Sequence, residues 1–198
     1  MGNWMGSFGI PNDTPVTTMW IPATHDTMAL YGDLNTKVGQ ISDPFNYAKT
    51  QDLSLTEQLD AGIRALDIRV KYQACTAQEL RIFHGEFYQK TNWIEVLQKL
   101  EDWITCHPTE FVLVFVKDEG GISTDGMDMH NCLTSLLDSS KWIRSDTTMF
   151  KNPRYGEFKG KLVYSHTRFS KLLNSKEPIR QDRGDITMSL PKGSGMPS

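Results

Sequence analysis

Arg64-Ala65-Leu66-Asp67-Ile68-Arg69-Val70 is an apolar run with two charges set into it. Side chains alternate along a strand, so Leu66 and Ile68 face one side, where a helix layer would pack, and Asp67 and Arg69 share the other. Similar short runs, bounded by turn residues and rich in β-branched or aromatic types, lie at Val16–Ile21, Leu80–His84, Phe111–Lys117 and Lys161–His166. Helical patterns separate most of them. Ser54-Leu55-Thr56-Glu57 is a capping-box start for a helix running toward Gly62. Asn92 caps a second helix with Glu95 three residues on; Trp93, Ile94, Leu97, Leu100 and Ile104 recur at helical spacing, and Pro108 lies just past its end. A third covers Met127–Leu137, with Leu133, Leu136 and Leu137 on one face. Strands alternating with helices predict an α/β fold with a parallel sheet and crossovers, a TIM-like (β/α) barrel.

Five strands can be counted, whereas a closed barrel of this type has eight. The stretch 174–198 is polar and rich in Gly, Pro, Lys and Ser, and reads as a loop or loose tail. The expectation is a catalytic domain over 1–173 whose barrel is incomplete at its carboxyl terminus, with truncation as the favoured cause.

The 198 residues, 38% of them hydrophobic, suffice for one domain with a real core. Lys and Arg number 21 against 24 Asp and Glu, a net charge of -3, which gives no electrostatic reason to expect nucleic acid as a partner. No apolar run reaches the roughly 20 residues of a membrane-spanning helix. Residues 1–15 lack the basic and apolar regions of a signal peptide, and Gly6 stands where a myristoylation signal wants Ser or Thr. The expected location is cytoplasmic or peripheral to a membrane, and the expected state a monomer. The odd cysteine count (Cys75, Cys106, Cys132) forms no metal-ligand pattern and predicts reduced thiols.

The polar residues worth attention fall at strand ends: His25 after the first run, Arg69 on the second, His84 on the third, Lys117 on the fourth. In a (β/α) barrel that rim is where active sites are built. An imidazole beside the Asp26 carboxylate is suited to take a proton near neutral pH. Asp67 and Arg69 suit an anionic substrate, since Arg offers phosphate oxygens a planar fork of donors. His84, followed by the turn-permitting Gly85, supplies a second imidazole, so a base and an acid are both present. Lys117 could bind a phosphate or sugar hydroxyl, with Asp118 and Glu119 holding its ammonium. Each residue alone is as well explained by a structural role; two His and one Arg from successive strand ends together point to phosphoryl chemistry. His107 reads as structural, and Phe87 and Tyr88 as loop residues packing on the surface.

Three ordered pieces carry a family resemblance: Ile21-Pro22-Ala23-Thr24-His25-Asp26-Thr27, then Ser54-Leu55-Thr56-Glu57-Gln58-Leu59 leading into Gly62–Arg69, then Phe83-His84-Gly85. From Asn3 to about Arg168 the chain resembles the catalytic X region of the bacterial-type phosphatidylinositol-specific phospholipase C family. The resemblance implies a distorted TIM barrel acting at a phosphatidylinositol-containing membrane surface. It implies His25 as base toward the inositol 2-hydroxyl, His84 as acid toward diacylglycerol, Arg69 neutralising phosphoryl charge, and Asp26 assisting Arg69 and the leaving-group side. Asp67, Lys117 and, after a one-residue insertion, Arg168 would bind substrate. Asp26 stands where calcium-dependent relatives carry Asn, and Arg69 where the cation would sit, so no metal and no other cofactor is expected. In the family a carboxylate from a late strand orients the first His and an aromatic side chain stacks on inositol; both fall in the missing strands. The alternative is a catalytically inactive X-region protein that binds inositol headgroups or a protein partner. A glycerophosphodiester phosphodiesterase would want an Arg after its first His and a Glu-x-Asp on the next strand, and neither is present.

Overall fold

The Arg64–Val70 run becomes β2 (Ala65–Tyr72), the organising strand of the computed structural model, which describes residues 2–32, 48–72, 74–75, 80–120, 127–144 and 152–166. Around it lie the short helix α1 (Trp4–Ser7), β1 (Ala23–Thr24), α2 (Leu55–Asp60), β3 (Leu80–His84), β4 (Phe87–Asn92) and α3 (Trp93–Cys106). They are followed by β5 (Phe111–Asp118), α4 (Met127–Ser135), β6 (Trp142–Arg144), α5 (Tyr155–Phe158) and β7 (Lys161–Ser165). The strands form one sheet in the order β4-β3-β2-β5-β7-β6, with β1 also paired to β2. It is open among the described residues. The 174–198 tail and Arg168 lie outside them.

The sheet is mixed, which corrects the all-parallel expectation. β1, β5, β7 and β6 follow parallel pairings, but β3 runs antiparallel to β2 and β4 antiparallel to β3. The reason is chain length. Only residues 73–79 join β2 to β3, too few for a parallel crossover, which takes a dozen or more. Phe87 and Tyr88 belong to β4 rather than to a loop. The Val16–Ile21 run is also corrected: it forms a 3₁₀ turn at Val16–Thr18, and the strand begins after Pro22, whose carbonyl accepts from Arg64 N and Ala65 N.

One consequence positions the site. β5 occupies one edge of β2, so β1 and β3 must share the other. β1 climbs that edge as far as Thr24, opposite Leu66. β3 descends it from the far end, with Leu80 opposite Tyr72 and Ile82 opposite Val70. Their carboxyl ends therefore approach each other beside Asp67–Arg69. Thr27 fills the gap, its N–H donating to Asp67 O (2.9 Å) and its Oγ1 accepting from Asp67 N (2.8 Å).

The alternation read from β2 holds throughout the sheet. Leu66, Ile68 and Val70, with Val112, Val114 and Val116 of β5, pack on Leu55, Leu59, Trp93, Val96 and Leu100 of the helix layer. The opposite face is apolar at the strands' amino ends, where Ala65, Phe111, Leu113 and Val163 meet Met5, Val16, Tyr155 and Phe158. It turns charged toward their carboxyl ends, at Asp67, Arg69 and Lys117. The predicted caps are present: Ser54 and Glu57 form a reciprocal capping box, and Asn92 accepts from Glu95 N. On α4 Leu133 is buried, but Leu136, expected beside it, lies past the helix and is exposed.

At the amino ends, fully buried Arg64 donates Nε to Glu110 Oε2 (2.9 Å), and to the carbonyls of Leu59, Ile63 and Gly2. Glu110 Oε1 accepts from Gly6 N (3.1 Å). This pair staples the amino-terminal segment under the sheet. Cys75 and Cys132 form a disulfide, with Cα atoms 5.6 Å apart, which corrects the expectation of reduced thiols. The bridge ties Cys75, just past β2, to Cys132 on α4, 57 residues away in sequence; Cys106 is the free, exposed one.

Candidate active site

His25 and His84 meet at one carboxylate. Asp26 Oδ2 lies 3.2 Å from His25 Nδ1 and 3.1 Å from His84 Nε2, and its Oδ1 pairs with Arg69 Nε. Asp26 sits at φ +45°, in the left-handed region that Asp and Asn tolerate better than most residues. The i to i+3 bond from Ala29 N to Asp26 O (2.8 Å) closes the turn. That backbone turns the carboxylate back between the two strand ends, where it is nearly inaccessible. Burial is the largest influence on it and pushes its pKa above the ordinary carboxylate value, against the pull of Arg69, His84 and His25.

Arg69 organises the rest. Its Nη2 lies 2.8 Å from His25 Nε2 and donates to Asp67 Oδ2 (3.1 Å), while Nη1 reaches Glu119 Oε1 (3.4 Å). Burial works against its charge, but Asp67, Asp26 and Glu119 together raise its pKa. Asp67 Oδ2 also accepts from Asp26 N (3.3 Å), so this buried carboxylate fixes both neighbours. Lys117 stands opposite Arg69 in the sheet, half exposed, its Nζ 3.5 Å from Glu119 Oε2. Asp118, expected to share that ammonium, instead accepts from Gly120 N.

The two histidines have different ring partners. His25 Nε2 faces the Arg69 guanidinium, which only donates, and its Nδ1 faces Asp26. The Nδ1 of His84 lies 2.9 Å from the Ala48 carbonyl, and its Nε2 faces the same Asp26 carboxylate.

His25, Asp26 and Asp67 each offer a ligand atom within 4.8 Å of the others, a nitrogen and two oxygens that a divalent cation could use. The same atoms already surround Arg69, so a cation there would face a fixed positive charge at hydrogen-bond distance.

Six of the seven residues singled out from sequence are drawn to this rim: His25, Asp26, Asp67, Arg69, His84 and Lys117. Two contributors were not singled out: Thr27 bridges the strand gap, and Gln51 donates Nε2 to His25 O (2.7 Å). Glu119, expected from sequence to hold the Lys117 ammonium, does so and also accepts from Gly85 N (2.8 Å). His107 is structural as expected, stacked on Trp103 at 3.9 Å.

Comparison with known proteins bears on the family and the fold. The family model PI-PLC X 1 matches residues 33–143. The 1-phosphatidylinositol phosphodiesterase of Listeria monocytogenes is 31% identical over 182 residues, 88% of this chain and 52% of that protein. PI-PLC X domain-containing protein 1 of Homo sapiens is 29% identical over 142 residues, 63% of this chain and 43% of that protein. The solved phosphatidylinositol-specific phospholipase C of L. monocytogenes superposes with a TM-score of 0.56 at 27% identity, over 82% of this chain and 55% of that one. A Staphylococcus aureus phosphatidylinositol-specific phospholipase C mutant gives 0.66 at 22%, over 82% and 51%. The chain spans about half the length of the curated relatives it matches.

Proposed function

The chain belongs to the PI-PLC X family, and on that premise we propose that it cleaves phosphatidylinositol, or a glycosylated form, to diacylglycerol and inositol 1,2-cyclic phosphate. The observation that carries the proposal is the placing of two imidazoles about 3 Å from one carboxylate oxygen, whose other oxygen pairs with the Arg69 guanidinium.

His25 takes the proton of the inositol 2-hydroxyl at Nε2, and that oxygen forms a bond to phosphorus. The bond from phosphorus to the glycerol oxygen breaks in line, and His84 gives that oxygen a proton. Diacylglycerol leaves; one proton has been gained at His25 and one lost at His84. Exchange with water, or attack of water on the cyclic phosphate with the two roles reversed, restores both rings. Arg69 offers its donors to the phosphoryl oxygens as charge builds on them, the electrostatic part of catalysis. Asp26 keeps the rings facing each other, and Lys117 reaches toward the inositol hydroxyls. Arg69 supplies the positive charge that a metal would otherwise bring, so the reaction is metal-independent.

The test is phosphorus NMR of the purified chain with phosphatidylinositol vesicles. The cyclic phosphate resonance should appear at the same rate with and without chelator. Its absence, with headgroup binding retained, would make the chain a binding protein; its loss on chelation would overturn the metal-independent reading.

A further inference from the structure

Resting on the lyase reading above, we infer that Glu119 is a positioning residue for the general acid, holding the turn that presents His84. Gly85, immediately after His84, has φ +56° and nothing within 4 Å of where a Cβ would stand, so side-chain packing does not fix the turn at this point. A hydrogen bond does: Gly85 N donates to Glu119 Oε1 at 2.8 Å. The anchor is itself rigid. Glu119 N donates to Val70 O (2.9 Å) on β2, and the Glu119 side chain is only 9% exposed.

The same carboxylate contacts Arg69 Nη1 (3.4 Å) and Lys117 Nζ (3.5 Å). It therefore joins the β3–β4 turn, which follows the acid, to the two strands that bear Arg69 and Lys117. These contacts are unequal in consequence. Arg69 keeps Asp26 and Asp67 if Glu119 is removed, whereas among the described contacts the Gly85 N–H has no other acceptor. Loss of Glu119 should fall on the acid far more than on the guanidinium, and a displacement near 1 Å can cost about 10²-fold in rate.

That asymmetry provides the test. Diacylglycerol needs a proton to leave, while the 4-nitrophenyl ester of inositol 1-phosphate releases a stable phenolate without one. Glu119→Met keeps side-chain size and removes the acceptor. It should lower kcat on phosphatidylinositol roughly 30- to 100-fold with KM changed less than about twofold, but lower the nitrophenyl ester rate less than about threefold. Glu119→Gln retains an oxygen for Gly85 N and should stay within about fivefold of the wild-type rate on phosphatidylinositol. Equal losses on the two esters would overturn the inference. So would a Glu119→Gln defect as deep as 30-fold, an outcome readable even if Glu119→Met does not fold. A wild-type chain inactive on both esters would instead remove the lyase reading itself.

Discussion

Asp26 is where sequence and geometry meet most closely. The His25-Asp26 pair was legible as a motif, but the sharing of one carboxylate oxygen by two imidazoles was not, because it needs a positive φ that no residue pattern announces. Asn is the replacement best suited to this backbone, so Asp26→Asn separates charge from conformation. It should melt cooperatively yet turn over roughly 10²- to 10⁴-fold more slowly, as expected when a ring loses its orienting carboxylate. Asp26→Ala should lose a further 1–2 kcal/mol or so of stability, read from the urea midpoint, through left-handed strain. Glu119 gives a pH prediction. Burial alone pushes its carboxyl up, but the Gly85 N–H, Arg69 and Lys117 outweigh this and hold it below the usual glutamate value of 4.5. A depressed carboxylate adds stability that is present above its unfolded pKa and lost as pH falls through the folded one. The melting temperature of Glu119→Gln should therefore converge on that of the wild type as pH falls below 4.5 and through the lower folded-state value. A constant gap would contradict this.

At the scale of elements, burial was readable and direction was not. Alternating apolar residues gave the faces of β2 and β5, and Ser54 and Asn92 gave two helix starts. The antiparallel course of β3 was in principle available, since residues 73–79 cannot hold a crossover helix. β4 reads Phe87–Asn92 with polar residues dominant, and β6 is only Trp142–Arg144, so neither offers a hydrophobic run to find. Nor did Arg64 and Glu110 announce themselves, because a buried ion pair between residues far apart in sequence has no local pattern. Both side chains are fully buried, so removing one partner strands a charge. Glu110→Gln should cost about 3–5 kcal/mol in urea unfolding, and replacing both residues with apolar ones of similar volume much less. Equal costs would mean that the staple acts by packing alone.

Over the whole molecule, the rim works because a mixed sheet brings two strand ends head to head on one edge of β2. The late-strand carboxylate expected from the family has no counterpart among the described residues, and Asp26 faces both rings instead. The Cys75–Cys132 bridge closes a loop of 57 residues that contains β3, β4, α3 and β5. Such a closure contributes about 4 kcal/mol by restricting the unfolded chain. Cys75→Ser should lower the urea midpoint accordingly, and reductant should lower that of the wild type but not of the variant. The central claim is that two imidazoles act on one phosphorus, and the most direct measurement is the rate of diacylglycerol release from phosphatidylinositol vesicles by the wild type, His25→Ala and His84→Ala. Each variant should fall by at least roughly 10³-fold while still melting cooperatively. A folded variant of either kind that retained near wild-type turnover would contradict it.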